Sequence, residues 1–224
     1  MELKMVILND NEPSPGLKNE WGWSLFIEFK GKKILFDADT SAEIIKYNSK
    51  KLNIDLDSVD FAFLSHYHMD HYGGYGYFAG KKSFKVYTPD DDKILREFGL
   101  LPIEVKGFKE IEDGVFSTGA ITGFGLKEHA MVIRLDYLNI LIVGCSHPGI
   151  DNIAKIVYEN LGEIYFTIGG FHEPSLKALD KLAEISKYVA PAHCSGNKAK
   201  EYVKKNYNSK YIETKTGSKI ILPF

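Results

Sequence analysis

The sequence predicts an α/β protein made of two sheets with helices outside them, and three observations carry that expectation. Apolar runs of strand length recur at 3–8, 23–29, 32–36, 59–64, 84–88, 102–106, 130–135, 139–144, 163–168 and 218–222, several of them rich in Val, Ile, Phe and Tyr. Two stretches switch to helical spacing, Ile153, Ile156, Val157 and Leu161, then Leu176, Leu179, Leu182 and Ile185. Strands come first as a group near the N-terminus and then alternate with helices, which excludes an all-β sandwich.

Taken in order, the run 32–36 ends with Ile34-Leu35-Phe36 and is followed by Asp37, and the run 59–64 leads into the densest polar motif of the chain. The runs 130–135 and 139–144 are spaced as a hairpin. Asp151-Asn152 and Pro174-Ser175 supply start signals for the two helices, and Gly162 stops the first. Their apolar stripes read as core packing. No linker, low-complexity tract or internal repeat interrupts the chain, so one domain is expected over 1–224.

At 224 residues the chain can bury about 70% of its unfolded surface in a single core. Its net charge of −2, with 26% charged residues, is near balance and calls for neither a nucleic-acid nor an acidic-lipid partner. The lysines of 30–33, 81–82 and 204–205 read as solvated faces. No segment reaches the roughly 18 apolar residues of a membrane span, and residues 1–8 are too short and too acidic for a signal peptide; a cytoplasmic location is expected. Two cysteines, Cys145 and Cys194, each lie close to a histidine. A disulfide framework is not expected of them; they read as small buried residues at strand ends, with metal ligation the alternative.

The run Ser65-His66-Tyr67-His68-Met69-Asp70-His71-Tyr72-Gly73-Gly74 places three imidazoles and one carboxylate within six residues. That donor set suits Zn²⁺, Fe²⁺ or Mn²⁺. Alternate residues of an extended segment point the same way, so His66 and His68 can grip one ion while Asp70 and His71, one turn on, face a second. The competing reading is a helix N-terminus capped by Asp70 with a chance cluster of histidines. All seven histidines, His66, His68, His71, His129, His147, His172 and His193, fall at or near the predicted end of a strand.

The pattern H-x-H-x-D-H followed by Gly-Gly, straight after an apolar strand, resembles the metallo-β-lactamase superfamily. The run ending at Asp37, the turn Gly144-Cys145-Ser146-His147-Pro148-Gly149 and the segment Pro191-Ala192-His193-Cys194 resemble its later motifs. The resemblance implies an αββα sandwich with two metal ions at one edge. It implies His66, His68 and His147 on the first ion and Asp70, His71 and His193 on the second. His129 is the rival third ligand of the first, its alternative a pocket-lining or satisfied core residue. Two ions about 3.5–4 Å apart can hold a bridging hydroxide, oriented by Asp70. Asp37 or Asp39 would accept an N–H from a ligand histidine and fix its tautomer. His172 is expected as a substrate contact or proton donor.

The combination of Gly-Cys-Ser-His-Pro-Gly-Ile at 144–150, Gly-Gly-Phe-His at 169–172 and Ala-His-Cys-Ser-Gly at 192–196 is similar to one branch, the dihydropterin-methyl-ribofuranosylaminobenzene-5′-phosphate synthase-like proteins. Three departures qualify it. Cys145 stands where a bridging aspartate is usual, Trp21 where a histidine is frequent, and only residues 120–127 occupy a connection often filled by a long insertion. The expected function is a dinuclear hydrolase, with zinc first and iron or manganese as alternatives, acting through a bridging hydroxide on a phosphate ester. The alternatives are a pterin-coupling synthase and a non-catalytic binding module braced by metal. A phosphate-bearing small molecule with an aromatic ring is the expected partner, stacked on some of Trp21, Trp23, Tyr67, Tyr72, Tyr75 and Phe171. Near-neutral charge argues against nucleic acid, and the absence of a glutamate at His68 argues against a flavodiiron-like redox role. No Gly-Lys-Ser/Thr follows the glycines of 119–125, and Ser146 lacks a Gly-x-Ser-x-Gly elbow, so neither a nucleotide cofactor nor a serine nucleophile is indicated.

Overall fold

The computed structural model describes residues 2–91 and 93–224. They form two compact units, residues 2–105 with Lys215–Phe224, and Lys106–Thr214. The first unit holds β1 (Leu3–Asn9), β2 (Ser24–Phe29), β3 (Lys32–Phe36), α1 (Ala42–Lys51), β4 (Phe61–Phe63), α2 (Met69–Tyr72), β5 (Lys85–Thr88), α3 (Ile94–Glu97) and β6 (Leu101–Glu104). Its sheet is seven-stranded, with the chain's last strand, Lys219–Leu222, at one edge beside β1, followed by β2 through β6 in sequence order. β1, β2 and β3 pair antiparallel, whereas β3, β4, β5 and β6 run parallel. Parallel neighbours need a crossover, and α1 and α3 lie in two of these connections.

Strand alternation sends Leu35, Ala62 and Val86 to one face of this sheet, where they join Ile45, Leu56, Tyr75 and Phe78 in one apolar cluster. Helix α1 begins where Ser41 Oγ accepts the Ile44 N–H, and its Asn48 amide donates to the Leu8 and Lys18 carbonyls. Gly73 and Gly74 follow α2 because nothing larger fits. A Cβ on Gly74 would sit 1.7 Å from the Ala38 carbonyl oxygen, and one on Gly73 would sit 2.0 Å from that of Thr40.

The second unit holds β7 (Lys109–Glu112), β8 (Val115–Ser117), β9 (Ile121–Gly123), β10 (Leu126–Glu128), β11 (Met131–Leu135), β12 (Leu138–Val143), α4 (Ile150–Leu161), β13 (Ile164–Gly170), α5 (Leu176–Ile185), β14 (Ser186–Ala192) and α6 (Gly196–Asn206). Six strands form a mixed sheet in the order β14-β13-β12-β11-β8-β7, while β9 and β10 make a separate hairpin. The parallel strands β12, β13 and β14 are linked by α4 and α5. Ile153, Val157, Leu179, Leu182 and Val203 from the three helices pack on Val132, Leu141, Val143 and Val189. Both expected helices and their stripes are therefore present, and the runs at 130–135 and 139–144 pair as a hairpin.

Among the described residues, no helix is long and apolar enough to cross a membrane.

Candidate metal centre

In the first unit the donors are set by one buried carboxylate. Asp37, at the end of β3 with φ +50°, is fully buried. Its Oδ1 accepts the Ser65 N–H (2.7 Å), and its Oδ2 accepts both the Ser65 hydroxyl (2.7 Å) and His71 Nδ1 (2.6 Å). Burial pushes the Asp37 carboxyl up, opposed by His71 and Ser65. An ionised carboxylate only accepts, so His71 carries its proton on Nδ1 and presents Nε2 as a lone pair. The Ser65 hydroxyl, having donated to Asp37, accepts from His66 Nδ1 at 2.9 Å, which leaves the lone pair of His66 on Nε2. Asp37 is thus the carboxylate behind the histidines, and Asp39 is not. Asp39 Oδ1 accepts from Asn9 Nδ2 (3.0 Å) and Thr40 N (2.8 Å), and burial pushes its carboxyl up to about 8.

The remaining donors stand at spacings that suit an ion. His66 Nε2 lies 3.1 Å from His68 Nδ1, and His71 Nε2 lies 3.6 Å from Asp70 Oδ2. Two ligands of one tetrahedral ion at about 2.0–2.1 Å stand about 3.4 Å apart, which these separations bracket. His68 and Asp70 are the more open pair, and Asp70 Oδ2 accepts from the indole of Trp21 at 2.8 Å. Of the aromatic residues expected at the site, Trp23, Tyr75 and Phe171 are core, whereas Trp21 is 60% exposed. Tyr67 and Tyr72 are half-buried against the apolar cluster of this unit.

In the second unit a residue that sequence reasoning missed does the same work. Glu128, fully buried at the end of β10, accepts from the N–H groups of Cys145 (2.9 Å), Ser146 (2.7 Å) and His147 (2.8 Å), and from His147 Nδ1 (2.7 Å). Burial alone would raise its carboxyl, but His147 and these backbone donors outweigh it and hold Glu128 below the usual range. His147 is left with Nε2 as its lone pair. In sequence Glu128 is one acidic residue in a polar hairpin, and nothing distinguishes it from a solvated one. His129, its neighbour, is fully buried and paired through Nδ1 with the Ser117 hydroxyl at 2.8 Å.

His172 follows β13 with φ +50°, and its ring centroid lies 4.6 Å from that of His147. His193 follows β14, buried, with φ +45°. The sulfurs of Cys145 and Cys194 and an imidazole nitrogen of His172 lie within 4.8 Å of one another. Both cysteines are buried and free of disulfide. Hydrogen bonds from Cys145 and His172 draw the Cys194 thiol well below its ordinary value, and its bond to Cys194 raises His172. Gly170 makes room for this group, since a Cβ there would come within 2.6 Å of Cys194 Sγ and 2.4 Å of the Gly144 carbonyl oxygen.

The sequence profile of the Metallo-beta-lactamase superfamily matches residues 22–193, a span that takes in both sets of donors. The chain belongs to the metallo-β-lactamase superfamily. Within curated members, it is 29% identical to the 7,8-dihydropterin-6-methyl-4-(beta-D-ribofuranosyl)-aminobenzene-5′-phosphate synthase of Methanocaldococcus jannaschii, across 89% of each chain. Among solved members, it is similar to Tm1679, described as a metal-dependent hydrolase of the beta-lactamase superfamily, with a TM-score of 0.81, 25% identity and coverage of 97% of this chain and 98% of that one. YhfI from Bacillus subtilis shares the metallo-β-lactamase fold with a TM-score of 0.70 at 12% identity, over 99% of this chain and all of that one. The expected α/β fold class and superfamily are those found, with two mixed sheets carrying helices.

Proposed function

We propose that the chain is a dinuclear metal-dependent hydrolase of phosphate esters, with zinc as its first-choice ion and iron or manganese as alternatives. The assignment places His66, His68 and His147 on one ion and Asp70, His71 and His193 on the other. The observation that carries it is the fixed tautomers: Asp37 holds His71 and, through Ser65, His66, while Glu128 holds His147, so three imidazoles each offer Nε2. A histidine kept for packing needs no buried carboxylate behind it.

When bound, two divalent ions would activate a water and neutralise charge on the entering and leaving oxygens of a displacement. Asp70, pinned by the Trp21 indole, is oriented to act on the attacking water. His172, exposed beside His147, is positioned to hold a proton for the leaving group. A dianionic phosphate matches two cations, and the Methanocaldococcus jannaschii relative is named for a phosphate-bearing product. That relative also supports a second reading, pterin-coupling synthesis. The short connection over residues 120–127 favours hydrolysis over it. The expected partner is a small phosphate-bearing molecule with an aromatic ring; the near balance of charge supports neither a membrane nor a nucleic-acid partner.

Elemental analysis of protein purified without chelator, paired with turnover of bis(p-nitrophenyl) phosphate, tests the proposal. Up to two transition-metal ions per chain are expected, the second lost more readily on dialysis because Cys145 stands in place of a bridging carboxylate. His68→Ala and Asp70→Ala should each abolish turnover with circular dichroism unchanged. No bound metal after reconstitution with zinc, iron or manganese would refute the metal assignment. Bound metal with no turnover of phosphodiesters, lactones or thioesters would establish the binding module instead.

A further inference from the structure

The hairpin β9–β10 carries a residue that neither folding nor burial explains. Gly123 pairs with Leu126, which leaves Phe124 and Gly125 as a two-residue loop with φ +48° and +80°. Positive φ at both positions is a type I′ turn, whose first position favours Asn, Asp or Gly. A phenylalanine there occupies the left-handed region that bulky side chains avoid. Nor is it core, since Phe124 is 79% exposed.

Its surroundings are chemical. The Phe124 ring centroid lies 5.4 Å from that of His172 and 6.4 Å from that of His147. The hairpin is also fixed to the His147 turn at two points. A Cβ on Gly123 would meet the His147 carbonyl group and Pro148 N at 2.4–2.5 Å, so the backbones are in direct contact. At the other end of the hairpin, Glu128 grips residues 145–147. A ring held at this strained tip is therefore in fixed register with both imidazoles.

We propose that Phe124 is a ring-binding wall of the substrate site, selecting phosphate compounds in which a planar aromatic group adjoins the phosphate. This rests on the phosphate-ester reading above, with its ring-bearing partner, and adds the residue that selects the ring. The aromatic face stacks on the substrate ring while the phosphate lies towards His147 and His172. The strained turn is retained because the aromatic ring, not the turn, is what this position supplies.

Binding of phenylphosphonate and of methylphosphonate to the zinc-loaded protein, measured by calorimetry, tests this without requiring turnover. Wild type should prefer phenylphosphonate. Phe124→Asn places the favoured residue in the turn, so its melting temperature should equal or exceed that of wild type while phenylphosphonate binds about two- to tenfold more weakly, the range expected for one aromatic stack. Methylphosphonate should bind both proteins alike, and Phe124→Trp should keep the preference. Equal phenylphosphonate binding by wild type and Phe124→Asn would overturn the inference while leaving the phosphate reading intact, as would an equal loss for both phosphonates. Failure of wild type to bind either phosphonate would refute the phosphate reading and this inference with it.

Discussion

Replacing Glu128 by glutamine tests the clamp on the His147 turn with two readouts that do not depend on each other. Glu128 accepts four hydrogen bonds at 2.7–2.9 Å through two oxygens, and every residue involved is buried. Glutamine keeps one acceptor oxygen and turns an NH₂ towards the other two donors. Leaving a buried donor unsatisfied costs about 1–3 kcal/mol, so two such donors put the destabilisation at about 4 kcal/mol. For a chain of this size that corresponds to a melting temperature lower by about 8–16 °C. Thermal unfolding of the metal-free protein reads this directly. If His147 is a ligand, its Nε2 also loses a fixed tautomer, and zinc affinity measured against a competing chelator should fall by about 10–100-fold. A Glu128→Gln protein that melts within about 2 °C of wild type would refute the clamp. One that melts lower but binds zinc as wild type does would refute His147 as a ligand while sparing the structural role.

Two further predictions follow from the geometry. His147→Ala should lose metal, whereas His129→Ala, whose imidazole is paired with Ser117, should keep it; elemental analysis showing the reverse would exchange the two assignments. Burial disfavours the charge of Asp39 and pushes its carboxyl up to about 8 in the folded state, from an ordinary value of 3.8. The folded state then keeps a proton that the unfolded chain releases, so this contribution is complete below about pH 4 and is lost as pH rises towards 8. Asp39→Asn should therefore remove a slope of about 1.4 kcal/mol per pH unit from the denaturant stability of the metal-free protein between pH 5 and 7, and identical slopes in both proteins would refute the buried acid.

Much of this architecture was legible in the sequence because hydrophobic period records burial. Strand runs such as 32–36 and 139–144, and the stripes of α4 and α5, match the elements found to within a few residues. Other elements were not legible. Strand β14 carries Pro191 and follows α5 without a break, so no turn residue marks its start, although it delivers His193. The short strands β7, β9 and β10 are largely polar or only partly buried, which removes the alternation that identifies a strand. Helices α1 and α6 bury only three and two residues, leaving a narrow apolar stripe in otherwise polar segments. At the site, the ligand motif was legible because three histidines and an aspartate within six residues require a reason. Glu128 and Phe124 were not, because their roles depend on which strand end the hairpin packs against.

Backbone conformation links the donors to the fold. Asp37, Asp39, Ser146, His172 and His193 all have positive φ, and all lie just beyond the ends of strands β3, β12, β13 and β14. Left-handed backbone at a non-glycine residue costs roughly 1–2 kcal/mol, so such positions persist only where their surroundings hold them. Here the surroundings are visible: Ser65 and His71 hold Asp37, while Glu128 and the Gly170 carbonyl hold Ser146. The parallel strands behind them carry almost wholly buried side chains, so their ends are rigid points from which the chain can turn sharply. A sharp left-handed turn at a strand end redirects the next side chain away from the sheet, which an ordinary continuation of the strand would not do. The strain and the imidazole placement are then one feature, and relaxing the backbone at Asp37 or Ser146 should move the donors before it loosens the core.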